Sequence, residues 1–381
     1  MTPRSFVYLA AAAVLSALLA VVTFAAGNRW GGEPAGGDKL MPALAASIDR
    51  VAEIAIRQGE DTAVLERHPD GTWTLKSRGG YPVDVAKVGT LLRGLGEAEL
   101  VEAKTSRPDK YAVLELDDPS AKGAKARLVK VTDAKGNAIA EAVLGKKRPD
   151  GYSTGKAGGT YVRRPGNAQT WLADRALDAP VATADWVKTG VLSLDSAKIA
   201  RIGIEIPGEQ ALRIERPLPA AAKDAKDTKP ADAKTSAKAD AKAAETADAK
   251  PPAPAQPGKL AFVGFPDSGK KLKDASAAEA IARAVAGIDL EDVRKLEAPP
   301  AGDGVSVVKV ETADGLSATL RLRKDGDAQW LSVIAAGEGD DARKAAEAIA
   351  KTTQGWEFKI PAPKAQAILK KRADLIETPG S

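Results

Sequence analysis

The sequence predicts an α+β protein: two tandem, repeat-related modules with mainly antiparallel sheets and a few helices, behind an N-terminal transmembrane helix. Three observations predict it. First, Ile199-Ala200-Arg201-Ile202-Gly203-Ile204, followed by Leu212-Arg213-Ile214-Glu215-Arg216-Pro217, is echoed near the front by Val51-Ala52-Glu53-Ile54-Ala55-Ile56 and Val64-Leu65-Glu66-Arg67. Both copies alternate apolar and polar residues about a short turn at Gly59-Glu60 or Gly208-Glu209, the signature of two half-buried strands. They lie about 150 residues apart, roughly one domain length. Second, strand-like runs dominate and no βαβ alternation is visible, which argues for antiparallel sheets. Third, Phe6 to Ala26 is apolar and uncharged, long enough to cross a hydrocarbon core of ~30 Å.

Taken in order, residues 1–27 read as the membrane anchor. Arg4 precedes the apolar run and Arg29-Trp30 follow it, so the positive-inside rule places the N-terminus in the cytoplasm and everything after residue 30 outside it, with a single pass through the membrane. A cleaved signal peptide is the competing reading, on the small residues around Thr23-Phe24-Ala25-Ala26. Residues 28–44, rich in glycine at the start, read as a flexible spacer.

The first module is expected over 45–192. After the hairpin, His68-Pro69-Asp70-Gly71 is a tight turn and Thr72-Trp73-Thr74-Leu75 a third strand. Asp84 is placed to cap a helix whose apolar positions are Val85, Val88, Leu91, Leu92 and Leu95. Strands follow at Ala126–Val131, Ala138–Leu144, Thr160–Arg163 and Gln169–Ala173, then a short helix around Ala184–Val187.

Gly71-x-Trp73, Tyr81-Pro82, Leu116-Asp117-Asp118-Pro119, Gly145-Lys146, Tyr161-Val162-Arg163 and Trp171-Leu172 occur here in that order. This series resembles the bacterial domain of unknown function numbered 4340, over most of residues 45–210. The resemblance implies a membrane-anchored envelope protein, some members being encoded beside components similar to a gliding-motility-type ABC transporter; it supplies no catalytic residues. The chain departs from the pattern in lacking a glycine near Leu114-Glu115-Leu116.

The second module is expected over 193–376. Where the first has the turn at His68–Gly71, the second has an Ala/Lys/Asp/Pro-rich tract at 218–258, whose composition cannot bury enough apolar surface to offset its ordering entropy and predicts a disordered insertion within the module. Lys259–Val263 then takes the place of the Trp73 strand, Ala277–Ala286 that of the first helix, and Val308-Lys309-Val310 echoes Val129-Lys130-Val131. Strands at Val305–Val310, Ala318–Leu322, Gln329–Val333 and Trp356–Ile360 and helices at Asp341–Lys351 and Pro363–Ile376 complete it.

Composition excludes more than it identifies. With no cysteine and His68 as the single histidine, disulfides, thiolate nucleophiles, Cys/His zinc sites and multi-histidine metal sites are excluded. A net charge of +5, with basic residues scattered among 51 acids, lacks the concentrated basic face of a nucleic-acid binder. Gly264-Phe265-Pro266-Asp267-Ser268-Gly269-Lys270-Lys271 nearly spells a phosphate-binding loop, but its last position is Lys where a magnesium-binding hydroxyl belongs, so it reads as a Gly-Pro loop. Ser153-Thr154-Gly155-Lys156 with Lys188-Thr189-Gly190 mimics two elements of penicillin-recognising enzymes without the third. His68 reads as a turn residue, Asp117-Asp118 and Asp340-Asp341 as turn or helix-start residues. The basic clusters Lys146-Lys147-Arg148, Arg163-Arg164 and Lys370-Lys371-Arg372 read as solvated surface, and Trp73, Trp171, Trp330 and Trp356 as sheet residues. No catalytic, cofactor-binding or metal-binding residue is assigned and no cofactor is expected. The function expected is a non-catalytic protein-interaction or accessory module in the envelope, beside an ABC-type transport or surface-assembly complex. The alternative is a binding module for a glycan or anionic envelope component. The partners are the membrane and an envelope protein, not nucleic acid.

Overall fold

The computed structural model describes residues 37–149, 158–217, 258–266, 270–298 and 300–377. The anchor over 1–27, the Ser153–Lys156 motif, Asp267–Gly269 and the tract expected to be disordered, apart from Gly258, lie outside the described residues. Among the described residues no helix is long and apolar enough to cross a membrane. The architecture is mainly antiparallel sheet with few helices, and the chain divides into two compact units between Lys188 and Thr189.

In the first unit β1 (Asp38–Lys39), a short helix α1 (Pro42–Ala45), β2 (Val51–Gln58), β3 (Asp61–Arg67), β4 (Trp73–Leu75) and β5 (Tyr81–Pro82) precede helix α2 (Val85–Glu97). β6 (Glu99–Ala103), β7 (Arg127–Asp133), β8 (Ala138–Arg148), β9 (Gly159–Arg163) and β10 (Thr170–Ala173) follow, in a sheet ordered β1-β6-β10-β9-β8-β7-β2-β3-β4-β5. The Asp84 carboxylate accepts the Ala86 N–H at 3.1 Å, as a helix cap should. Val88, Leu91, Leu92 and Leu95 are buried on one face of α2, whereas Val85 is 53% exposed: in the first turn it points away from the packed face.

Two expectations are corrected here. The spacer over 28–44 ends early, because β1 pairs with β6 and Leu40, Met41 and Leu44 enter the core; three large apolar side chains within five residues outweigh the flexibility of the glycines before them. The helix at Ala184–Val187 is a single 3-10 turn, Thr183–Asp185, and Trp186 next to it is fixed by an Nε1–H bond to the Pro180 carbonyl. β6 and the 3-10 segment Pro108–Leu114 carry no turn-bounded apolar alternation and were not foreseen.

The second unit contains β11 (Gly190–Ser193), β12 (Ile199–Glu205), β13 (Leu212–Glu215), β14 (Ala261–Phe262), helix α3 (Ala277–Ala286), β15 (Gly287–Asp289), β16 (Asp292–Lys295), β17 (Val305–Thr312), β18 (Leu316–Asp325) and β19 (Ala328–Gly337). Helix α4 (Asp340–Thr353), β20 (Trp356–Ile360) and two short helices, α5 (Ala362–Ile368) and α6 (Arg372–Leu375), end it; the single helix expected over Pro363–Ile376 is broken between α5 and α6. The main sheet is ordered β14-β13-β12-β17-β18-β19-β20-β16.

That order repeats β4-β3-β2-β7-β8-β9-β10-β6 of the first unit, strand for strand. The register repeats as well. Ile54 and Ile56 face Val131 and Val129, with Ala55 opposite Lys130; Ile202 and Ile204 face Val310 and Val308, with Gly203 opposite Lys309. Both ladders slip at the same place, between Val51 and Glu53 and between Ile199 and Arg201. A one-residue slip would turn every apolar side chain outward, so a shared register and a shared irregularity mean that the two sheets solve the same packing problem. In the second unit β13 and β14 are paired neighbours, and Arg216 Nη1 donates to the Gly258 carbonyl at 2.7 Å, so the chain leaves the sheet at Pro217 and re-enters beside it at Gly258.

Candidate functional site

In the first unit the residues of the 4340-like pattern serve packing. Trp73, Tyr81, Val162 and Leu172 are buried, and Leu116 forms a cluster with Ala126 and Val143 flanked by Tyr111, Leu114, Leu128 and Tyr161. Gly145 is required by contact: a Cβ there would lie 2.3 Å from the Leu114 carbonyl oxygen. At Glu115, in the Leu114–Leu116 segment near which the expected glycine is absent, φ is 56°, the only positive value at a non-glycine among the described residues. The Asp118 carboxylate accepts the Ser120 N–H and Oγ–H, which hold its pKa below the usual range, while the Pro119 carbonyl accepts the Gly59 N–H at 2.7 Å and ties this loop to the first hairpin. Arg163 lies 5.0 Å from the Tyr111 ring centroid.

In the second unit the same fold leaves a groove. β19 pairs with β18 over its whole length, but with β20 only through Gln329, Trp330 and Leu331. Among the described residues no strand is paired with Ser332–Gly337 on that side: Glu357 and Trp356 of β20 come next in register, opposite Ser332 and Val333, without pairing to them, and Ile334–Gly337 is an open edge of about 14 Å at ~3.4 Å per residue. The cause is α4. It occupies the connection between β19 and β20, its first turn sits on the strand end (a Cβ on Gly337 would be 2.2 Å from the Ala342 carbonyl carbon), and β20 therefore starts only at Trp356. A cavity of ≈ 440 Å³ lies along the vacated edge, lined by Ser332, Ile334 and Ala335 of β19, Ala350 of α4, Leu296 and Trp356.

Beneath one end of the groove is an ion cluster. Glu357 is 1% exposed; its Oε1 accepts Arg323 Nε–H at 2.6 Å, and its Oε2 accepts Arg294 Nε–H and Arg323 Nη2–H, both at 2.8 Å. Burial pushes the Glu357 pKa up, but the hydrogen bonds from Arg323 and Arg294 outweigh it and the net shift is down. Arg294 also binds Asp325 at 2.8 Å and stacks 3.7 Å from the Trp330 ring centroid. Three guanidinium N–H bonds keep this carboxylate ionised and occupied. Arg321, opposite Ser332 on β18, is bonded to the Pro300 carbonyl at 3.0 Å. Three buried atoms here have no hydrogen-bond partner: Ser332 Oγ, Arg321 Nε and Arg294 Nη2. Ser332 is 3% exposed and lines the groove.

Against this geometry the comparisons are narrow. A family model described as "Domain of unknown function (DUF4340)" matches residues 73–256. That stretch is just under half of the chain, and over it the chain is similar to the DUF4340 family. No curated protein and no solved structure matches it. The DUF4340 match begins at β4, crosses into the second unit and stops before β14, so the groove beside β19 lies outside it.

The remaining residues singled out by sequence are scattered. His68 Nε2 lies 2.9 Å from Thr74 Oγ1 in an exposed turn, and Asp70 beside it is held at low pKa by the Thr72 hydroxyl and N–H. Asp340 and Asp341 are exposed in the first turn of α4, and Thr189 Oγ1 bonds to Asp289 at 3.4 Å. The basic clusters are engaged within the molecule: Lys147 pairs with Asp178, Arg148 with Glu102, and Lys371 with Glu209. Arg164 donates to the Lys39 and Leu40 carbonyls, and Arg372 donates to the Ala211 carbonyl. Trp73 and Trp330 are buried and Trp171 and Trp356 half-buried, so the four form no exposed aromatic platform. Among the described residues no three His, Asp or Glu side chains are placed to hold a metal ion. Sequence reading missed Ser332, Arg294 and Glu357. In Trp356-Glu357-Phe358-Lys359-Ile360 the alternation assigns Glu357 to the outer face, where Arg294, brought in by β16, and Arg323 of β18 cover it.

Proposed function

We propose that this chain is a non-catalytic protein-interaction module of the bacterial envelope, held at the inner membrane by Phe6–Ala26 with its two units in the periplasm. The observation that carries the reading is the open edge of β19. Native proteins protect exposed strand edges with charges, prolines or bulges, and Ser332-Val333-Ile334-Ala335-Ala336-Gly337 has no charge and no proline. An edge left in this form, beside a cavity, suits contact with another polypeptide. The apolar N-terminal run supports the membrane attachment, and the resemblance to the 4340 family supports an accessory role beside an ABC-type transport or surface-assembly complex. The internal pairing of the basic clusters argues against an anionic polymer as the principal ligand.

The test is photo-crosslinking of the full chain in its native membranes, with the photoreactive residue at Ile334 and, as control, at Val113 in the first unit. A discrete adduct with one envelope protein from Ile334 alone is expected. Adducts of equal yield and identity from both positions, or none from Ile334, overturn the reading.

A further inference from the structure

We infer that the groove beside β19 takes an extended polypeptide segment of a partner protein, which adds to the second sheet as an antiparallel strand in the position that β20 vacates. The inference rests on the interaction-module reading above and specifies how the partner is held.

The edge supplies the backbone part. A strand edge presents alternating N–H and C=O groups at a fixed repeat, and strand addition matches them without regard to side chains. The vacant position continues a ladder that already exists, because β20 pairs with Gln329, Trp330 and Leu331, while its first two residues, Trp356 and Glu357, pair with β16 alone and leave the edge open from Ile334 on. The groove of ≈ 440 Å³ lies between β19 and the C-terminal turn of α4, a width suited to one extended chain.

Side chains set the pattern of that chain. On the core-facing side the strand offers Val333 and Ala335 against Ala350, small residues that leave room for a large apolar side chain. On the other side Ser332 Oγ is buried without a partner, and such a group costs free energy until something bonds to it. A hydroxyl or carboxylate on the incoming segment would satisfy it. The predicted segment therefore alternates apolar and polar residues.

Charge sets its direction. At the Gly337 end of the edge stand Glu338 and, in the first turn of α4, Asp341 and Asp340, the last paired with Arg343; at the Trp356 end stand Lys295, opposite Trp356 in the ladder, and Lys351 in the last turn of α4. An antiparallel segment has its N-terminal end beside the acids and its C-terminal end beside the basic groups. A basic flank before the strand and an acidic one after it complement both ends, whereas a parallel segment with those flanks would meet like charge at each.

A displayed library of random octapeptides, selected on the full chain in detergent, tests this. Sequences with alternating apolar and polar residues, basic at the front and acidic at the back, are expected to be enriched. Ile334→Lys places a charge on the edge without entering the core and should weaken their binding at least tenfold. Bound peptide should also slow amide exchange of Ser332–Gly337. Failure to enrich any peptide whose binding Ile334→Lys reduces overturns the inference. Self-association of the chain that Ile334→Lys abolishes, without peptide enrichment, replaces the strand by a second copy. If Ile334 still crosslinks one envelope protein and no such peptide is found, strand addition falls while the interaction-module reading stands.

Discussion

The two units share a strand order and a register but differ in one connection, and that difference accounts for the groove. In the first unit β9 and β10 are joined by a short link, Arg164–Gln169, and β10 covers β9 from Arg163 back to Thr160. In the second the link between β19 and β20 contains α4, and the strand loses its neighbour after Leu331. A turn keeps a sheet closed; a helix in the same place opens it, because its first turn takes the chain off the strand end. The open edge thus needs no change in the strand itself.

The largest effect that separates the units is expected at Glu357. Glu357→Ala leaves Arg294 and Arg323 without their shared carboxylate and should cost about 2–4 kcal/mol in urea unfolding, at the lower side for a buried pair because both arginines are about a third exposed. Since the Glu357 pKa is lowered on folding, its contribution is present above the ordinary carboxylate range and fades as pH falls below ~4.3. Wild type and Glu357→Gln should converge in stability on acidification; a gap that widens instead contradicts the assignment.

Next come two glycines, one in each unit. Gly145→Ala drives a methyl group into the Leu114 carbonyl, and Gly337→Ala into the first turn of α4; each should lose about 1–3 kcal/mol. Only Gly337→Ala should also change amide exchange along β19. Equal effects of the two on β19 would break the link between α4 and the open edge.

In the unmodified chain, edge amides within Ser332–Gly337 should exchange at least about tenfold faster than those of Thr160–Arg163, whose strand is covered on both sides. Comparable protection would mean that the edge is not open in solution. The smallest expected effect is a gain. Glu115→Gly relieves a left-handed residue whose conformation costs about 1 kcal/mol, partly offset by the greater freedom of glycine in the unfolded chain, for a net ~0.5 kcal/mol in thermal melting. Lys125, which pairs with Glu115 at the surface, should contribute little to the outcome.

Much of this fold was legible. Ile54-Ala55-Ile56 and Ile202-Gly203-Ile204 announce their strands by alternation, and Val129-Lys130-Val131 and Val308-Lys309-Val310 announce the neighbours. β20 was read at its full length from Trp356 to Ile360. What could not be read is how far each strand is covered. Alternation reports which face a residue takes, not where a neighbour stops, so the open stretch after Leu331 leaves no mark in Ser332–Gly337. Glu115 shows the opposite case. The missing glycine was visible in the sequence, and the backbone adopts the left-handed conformation there regardless, because the Leu114–Leu116 segment is fixed by packing against Gly145 and Ala126.

The close seat of α4 on Gly337 has a consequence for whatever binds beside it. With no room for a methyl group between the strand end and the helix, α4 cannot slide into the empty lane or swing away from it without losing that contact. The groove is therefore pinned at its Gly337 end, and there the entropy of ordering on association falls chiefly on the guest. Such a host discriminates by conformation before it discriminates by sequence: a segment already stretched between two anchored domains would fit it at far lower cost than the same residues in a slack tail.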